Sequence, residues 1–468
     1  MFWENFERIK RNIIFITQDE QLTYSDIRVL SEQIGDLIKK RSLIFIICQN
    51  NIESILSYIA VMEANSVPLL LNFDISKVAL LKLMKMYHPN YIFCDEKRKE
   101  EIADGEVEFC FRSYRMIRIC NTPCELHEDL ALLLSTSGST GSSKLVRLSY
   151  SNILHNANAI ADFLNISSHD ITITTLPMSY TYGLSIINSH LIRGATIVVT
   201  NLSMLHQGFW KLFFNNNVCS FGGVPFIYEI LRLKNFWNKN LENLRYMTVS
   251  GGRMSSDLLS FTIEQCEKYN IQFLQMYGQT EATARISYLP SKLALSKKGS
   301  IGKALEGGRM WIETDGGIAI RKPFTVGNLM YKGKNVCLGY AEELKDLSKG
   351  NENRGLLKTG DLAYFDDDGF FYLKGRKNRL LKIYGIRINL DELEELLDKN
   401  GLFCICTGED DRLGIFTTDR DNIEKINCFI QHMTNIPKTG YKSIYIENIP
   451  HKSSGKIDYK YLHKYMEI

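Results

Sequence analysis

The densest chemistry in the chain lies in the nine residues 136–144. They read Thr136, Ser137, Gly138, Ser139, Thr140, Gly141, Ser142, Ser143 and Lys144. Small residues and two glycines let backbone N–H groups converge on an anion with no Cβ in the way. The hydroxyls of Thr136, Ser137, Ser139 and Thr140 add donors, and Lys144 adds positive charge. This is not a Walker A loop, because no glycine stands directly before Lys144. A Ser/Gly run alone is most often a flexible polar loop. Placed after the apolar run 131–135 and closed by a lysine, it favours phosphate binding.

Four further segments put polar groups at tight spacing. They are Met276-Tyr277-Gly278-Gln279-Thr280-Glu281, Lys358-Thr359-Gly360-Asp361, the stretch from Gly375-Arg376 to Ile388, and the stretch from Pro450 to Ser454-Gly455-Lys456. With the loop at 136–144 they stand in the order and rough spacing of the adenylate-forming superfamily. That group contains acyl-CoA synthetases, nonribosomal-peptide adenylation domains and firefly luciferases. The chain resembles it over nearly its whole length, and acyl-CoA synthetases most. Each segment alone is weak, whereas five in order are specific.

The resemblance implies an enzyme that uses ATP and Mg²⁺ to turn a carboxylic acid into an acyl-adenylate. The acyl group then passes to a thiol, either CoA or the pantetheine of a separate acyl carrier protein. Residues 136–141 and Lys144 would hold the β- and γ-phosphates. Thr280 would donate to the α-phosphate, and Glu281 would ligate Mg²⁺, a hard cation that prefers oxygen and keeps several waters. Gly251, Gly252, Tyr277 and Gly278 would frame adenine, since glycines admit a flat ring and a phenol can stack on it. Asp361 would accept both ribose hydroxyls, with Arg376 as a second ribose contact. Lys456 would bridge the carboxylate and the α-phosphate, where an ammonium offsets transition-state charge. Outside this context Lys456 would read as a solvated lysine after a glycine turn. In the second step the loop 378–385 would come to the site, and Gly385 would let a pantetheine arm pass; Lys382 has a weaker claim and can simply face solvent.

The elements that must position these groups follow from periodicity. Short apolar runs such as Leu43–Cys48, 67–71, 131–135, 171–176, 245–250 and 272–276 alternate with helical patterns such as 24–39, 51–64, 151–163, 204–214 and 255–269. Strands alternating with helices imply an α/β fold with parallel, doubly wound sheets. After about Gly307 the pattern turns to glycine-punctuated strands, with a hairpin signal at Asp366-Asp367-Asp368-Gly369. Family likeness completes the expectation. Residues 1–377 would form a large domain of two doubly wound subdomains and a β-rich third, and 378–468 a small mobile α+β domain carrying Lys456.

The chain departs from the family pattern at several places. Asn378 stands at the hinge, where Asp or Lys is usual; Asn tolerates unusual backbone angles nearly as well. The substrate segment Pro177-Met178-Ser179-Tyr180-Thr181-Tyr182-Gly183-Leu184 has Tyr180 near a frequent His or Phe. No acidic residue lies in 177–185, which argues against an α-amino acid, because an unpaired ammonium in a dry pocket is costly. Tyr180, Tyr182, Gly183 and Val224 are the candidate walls for a fatty or aryl acid. Arg253 replaces a small residue and would meet either a substrate anion or, more readily, solvent or a local carboxylate.

Composition bounds the rest. With 468 residues the chain needs more than one core. Lys and Arg number 56 against 53 Asp and Glu, too even a balance to suggest nucleic-acid or membrane-surface binding. The 11 cysteines show no zinc-site spacing and read as reduced thiols. Met1 to Arg11 has no signal-peptide core, and the apolar runs are too short to span a bilayer; a cytoplasmic protein is the expectation. A nucleotide-binding scaffold without chemistry remains open, although Thr280, Glu281, Asp361, Arg376 and Lys456 are all present. So does a luciferase-like oxidase, which oxygen uptake would reveal. The acid, the acceptor thiol, the pathway and the oligomeric state are not legible at this level.

Overall fold

Strands buried on both faces organise the chain into two wound sheets. The computed structural model describes residues 11–38, 40–102, 105–122, 124–135, 144–384, 386–433 and 436–466. Leu43–Cys48 is buried at every position, as a strand covered by helices on both sides must be. It runs parallel to Val67–Asn72 and to Tyr91–Asp95, and Val67–Asn72 runs parallel to Leu130–Ser135. Antiparallel strands close this sheet. Leu145–Ser149 and Gly339–Ala341 lie at one edge, Tyr114–Arg118 and Glu106–Phe111 at the other.

The second sheet sets Ile13–Ile16, Thr196–Val198, Ile171–Ile173, Ser220–Gly223, Tyr246–Val249 and Gln272–Tyr277 side by side, all parallel. It continues antiparallel into Ser287–Leu289 and Lys303–Ala304. Helix Tyr150–Phe163 and helix Thr181–Leu191 contribute to one apolar core that draws on both sheets. Thr181–Leu191 is buried at every position except Ile186. A helix covered all round belongs between layers. Each leucine or isoleucine fully buried there contributes about 1.5–3 kcal/mol.

A third, antiparallel sheet joins Ala319–Ile320, Arg309–Glu313, Gly327–Lys332, Leu356–Phe365 and Phe371–Arg376. The expected hairpin is there: Asp366 Oδ1 accepts from the backbone N–H of Asp368 (3.1 Å) and Phe370 (2.9 Å), and Gly369 takes φ 75°. A smaller α+β domain comes next, with a core of its own. It holds the hairpin Leu380–Ile383/Ile386–Asn389, helix Leu390–Lys399, the strands Ile405–Glu409, Arg412–Thr417 and Tyr441–Tyr445, and helices Asn422–Met433 and Tyr459–Lys464. No helix among the described residues is long and apolar enough to cross a membrane.

Local reading misplaced some elements. The hairpin Glu106–Phe111/Tyr114–Arg118 went unseen because its turn has no Gly, Asn or Asp; Arg112 itself takes φ 55°. The strand expected over 171–176 stops at Ile173. Thr174 and Thr175 leave the ladder and donate their hydroxyls to the carbonyls of Thr200 and Gly222. The helix expected over 204–214 is Gln207–Asn215, started by His206, whose Nδ1 accepts from the N–H of Gly208 (3.0 Å).

Candidate active site

Ligands of open α/β sheets bind beyond the carboxyl ends of the strands. Here those ends belong to Ser220–Gly223, Tyr246–Val249 and Gln272–Tyr277. Just past Tyr246–Val249 the backbone turns at Gly251 with φ +87°. A Cβ at Gly251 would lie 2.5 Å from the Tyr180 hydroxyl, 3.2 Å from Val224 Cγ1 and 3.4 Å from Lys456 Cε. Three side chains distant in sequence therefore meet over one glycine. Only a residue without Cβ and tolerant of positive φ serves there. Gly252 is roomier, with only Pro225 near its Cβ position.

Lys456 arrives on a turn of the small domain that is docked at several points. Gly455, at φ 72°, presses so closely on Val224 that a Cβ would come within 2.5 Å of its Cγ2. The His451 ring stacks on Phe226 at 4.1 Å, and Asn72 Nδ2 donates to Ser453 Oγ at 3.1 Å. The Lys456 ammonium lies 4.7 Å from the centre of the Tyr180 ring. Loss of solvent, with Arg376 and Lys452 nearby, pushes its pKa down to about 8, against the pull of Glu281.

Thr280–Ala282 forms a short 3₁₀ turn with Thr280 buried. Asn335 clamps the backbone from Ala282 to Arg285: its Nδ2 donates to the carbonyls of Ala282 (3.0 Å) and Arg285 (2.8 Å). Glu281 Oε1 accepts from the Tyr340 hydroxyl at 2.8 Å. The Lys144 ammonium sits over the same Tyr340 ring, 3.7 Å from its centre, and 3.4 Å from Glu342. Tyr340 thus stands between the lysine closing the hydroxyl-rich loop and Glu281. Fully buried Arg147 holds the Tyr340 carbonyl (3.1 Å) and pairs with Glu352. Thr136, Ser137, Gly138, Ser139, Thr140 and Gly141 lie outside the described residues, as does Gly385.

Among the described residues, no cluster of three or more Asp, Glu, His or Cys is arranged for a metal. Glu281 offers a hard oxygen ligand. That fits Mg²⁺, which takes most of its shell from phosphate and water.

Tyr277, Asp361 and Arg376 form a chain. The Tyr277 hydroxyl donates to Asp361 Oδ2, and Arg376 Nε lies 3.3 Å from Asp361 Oδ1. Strand register places Asp361 opposite Arg376. Burial raises the Asp361 carboxyl above its ordinary range, and Arg376 opposes that rise. Gly278 is pressed against the Ala284 carbonyl, leaving no room for a Cβ.

The four candidate acid-pocket residues divide. Tyr180 and Val224 border the space over Gly251. Fully buried Tyr182 donates its hydroxyl to the Thr248 carbonyl at 2.9 Å and meets Tyr180 edge-on at 6.3 Å. Gly183 faces the Pro177 carbonyl, so its need is close backbone packing, not open space. Lys382 is exposed, and its backbone N–H binds Asp410 at 2.8 Å.

Arg253 turns to a carboxylate. Its Nη2 lies 3.4 Å from Asp398 on helix Leu390–Lys399. Exposed pairs of this kind contribute about 0–1 kcal/mol. Arg253→Ala is therefore expected to change the acid's KM by less than about threefold in steady-state assays. A rise of tenfold or more would move Arg253 onto the substrate. Tyr340, Asn335, Arg285 and Arg379 were not foreseen. Arg379 comes directly after Asn378 in the 3₁₀ turn Lys377–Arg379 and pairs with Asp391 and with Glu394 (2.8 Å). Tyr340, Asn335 and Arg285 lie outside the segments that carried the resemblance, and Arg379 lies within the 375–388 stretch, where no role was assigned to it.

Comparison with known proteins agrees with this fold. A family model described as AMP-binding enzyme matches residues 2–341. The 2-succinylbenzoate–CoA ligase of Bacillus cereus (strain AH820) is 28% identical over 448 residues, 90% of this chain and 87% of that protein. The 2-succinylbenzoate–CoA ligase of Geobacillus sp. (strain WCH70) is 27% identical over 368 residues, 77% of this chain and 72% of that protein. Among solved structures, O-succinylbenzoate coenzyme A synthetase from Bacillus subtilis, in complex with AMP, has a TM-score of 0.79 at 23% identity, covering 98% of this chain and 97% of that one. ATP-bound MatB from Rhodopseudomonas palustris has a TM-score of 0.78 at 18% identity, covering 99% and 98%. At these identities the structural likeness shows the fold.

Proposed function

The chain belongs to the AMP-binding enzyme family, and from that premise we propose that it is an AMP-forming ligase joining an aryl acid of the 2-succinylbenzoate class to CoA. One observation carries the reading. Lys456 is seated between Tyr180 and Gly251, with the charge of Glu281 acting on it from across the site.

In the first step an oxygen of the acid's carboxylate attacks the α-phosphorus of ATP. The bond to the bridging oxygen breaks, and pyrophosphate leaves with that electron pair. Lys456 bridges the carboxylate and the α-phosphate, offsetting charge in a transition state that offers the protein little covalent work. Thr280 donates to the α-phosphate, and Lys144 with residues 136–141 holds the β- and γ-phosphates. Glu281 would hold Mg²⁺ together with phosphate oxygens, and the bound cation would neutralise part of their charge. Gly251, Gly252, Tyr277 and Gly278 frame adenine, while Asp361 and Arg376 hold the ribose.

In the second step the CoA sulfur attacks the acyl carbonyl. The thiol proton goes to solvent, and AMP leaves with the C–O electron pair. We assign this step to a rotated small domain, hinged at Asn378 between a domain of residues 1–377 and one of 378–468. Rotation would withdraw Lys456 and bring in the loop with Gly385. The relatives' names specify CoA, and no finding favours a carrier protein.

Pyrophosphate release with ATP, Mg²⁺ and a panel of aryl, fatty and amino acids tests the reading, with the thioester identified by mass. Aryl-acid-dependent release and an acyl-CoA product are expected. Release with amino acids alone would sink the acid assignment, and no release with any acid would sink the ligase.

The Lys456 pKa gives a second test. The ammonium is the active form, so kcat/KM for ATP should fall as pH rises through about 8. That profile reports the free enzyme, whereas kcat reports the complex. Bound phosphates favour the ammonium, so the falling limb of kcat should lie at higher pH. A flat kcat/KM from pH 7 to 9.5 would contradict the assignment.

A further inference from the structure

Three arginines are buried among the described residues, and one of them lacks an anion. Arg98 pairs with Glu101 at 2.5 Å, and Arg147 pairs with Glu352. Arg285 is 2% exposed and makes no ion pair with any described residue. Its guanidinium carbon stacks 3.8 Å from the centre of the Tyr182 ring, and its Nε lies 3.3 Å from Met276 Sδ. Burial lowers its pKa, with only Tyr182 and Tyr180 opposing. A buried cation whose partners are aromatic rings and a thioether is poorly compensated.

Arg285 also lines a cavity of about 10 Å³, room for one water, between helix Thr181–Leu191 and the sheet. Tyr182, Ile186, Ser220, Gly222 and Thr248 share that lining. Ser220 Oγ is buried there without a hydrogen-bond partner among the described residues. A cavity holding an unpartnered hydroxyl beside an uncompensated guanidinium has the chemistry of an anion site.

The two tyrosines connect this cavity to the reaction centre. Tyr180 and Tyr182 meet edge-on at 6.3 Å, with the Lys456 ammonium 4.7 Å from the first ring and Arg285 3.8 Å from the second. We infer that Arg285 is the counter-ion for a second carboxylate on the acid. The enzyme then selects dianionic acids, one carboxylate activated at Lys456 and the other held at Arg285. The inference rests on the ligase reading.

The test compares 2-succinylbenzoate with 4-oxo-4-phenylbutanoate and 2-butanoylbenzoate, each of which lacks one carboxylate. Wild type should prefer the diacid by about 100-fold or more in kcat/KM, as expected of a site built around a buried charged group. Arg285→Met should bring that ratio within about fivefold with the KM of ATP unchanged, and Arg285→Lys should restore part of it. Arg285→Met should also melt at or above the wild-type temperature, because it removes an uncompensated charge; loss of a mere brace would lower it. Equal use of diacid and monoacids by wild type, or an undiminished ratio in Arg285→Met, overturns the inference. Should no acid yield a thioester, the ligase reading fails separately. Calorimetric titration of 2-succinylbenzoate into the protein with AMP then decides. Binding lost in Arg285→Met supports the site, whereas equal binding in both proteins, or none in wild type, overturns it.

Discussion

Lys456→Ala is expected to slow acid-dependent pyrophosphate release by about 10²–10³-fold, comparable to loss of an oxyanion donor. The ammonium reaches the site over Gly251 from a turn held by Val224, Phe226 and Asn72. Removing it leaves the turn docked, so the loss should appear in the chemical step, with ATP affinity nearly unchanged. Acyl-adenylate supplied ready-made should still react with CoA within a few-fold of wild type, because Lys456 is assigned no part in that half-reaction. Stability should not suffer. A lysine whose folded pKa is about 8, against about 10.4 unfolded, makes the fold more stable as pH rises across that window and costs stability when charged below it. Thermal melts of the variant should match or exceed wild type at pH 7 and lose that rise. Equal loss in both half-reactions would remove Lys456 from its adenylation-only role.

Asp361→Ala is expected to raise the KM for ATP about 100-fold while leaving kcat within a few-fold. Hydrogen bonds to a charged acceptor contribute about 1.5–3 kcal/mol each. Losing two ribose contacts thus removes at least about 3 kcal/mol, and 1.4 kcal/mol is roughly tenfold in affinity. The same change strips the Tyr277 hydroxyl of its acceptor and Arg376 of its partner. An unsatisfied buried hydroxyl costs about 1–3 kcal/mol, so the melting temperature should fall. Asp361→Asn keeps an oxygen for Tyr277 and should recover most of the stability with only part of the affinity. Calorimetric titration of ATP beside thermal melts separates the effects. An unchanged KM in a folded Asp361→Ala protein would take the ribose contact away from Asp361.

Much of this site was legible because five short segments, each local, resemble the adenylate-forming superfamily in order and rough spacing. A glycine at positive φ, a Thr-Glu pair entering a tight turn, or a Gly-Lys pair ending a hairpin-like turn each has its geometry set by a few neighbours. The alternation of strands and helices is local too, and it implied the wound sheets. The hairpin at Arg112 escaped because its turn has no residue that favours positive φ, and the pairing of the flanking strands carried it instead.

The alternation of strands and helices determined the fold class, and the resemblance of five ordered segments to the adenylate-forming superfamily marked which residues to question: Tyr277, Thr280, Glu281, Asp361, Arg376 and Lys456. Only the tertiary structure decided what each of them faces. Tyr277 and Asp361 are 84 residues apart, and Arg253 and Asp398 are 145 apart. Such partners are chosen by strand order, register and domain docking, which no short window encodes. For the same reason Arg253, the arginine suspected from sequence, is engaged by Asp398. Arg285, marked by no motif, proved to be the buried cation without a described anion, because burial belongs to the packed layers and not to the residue.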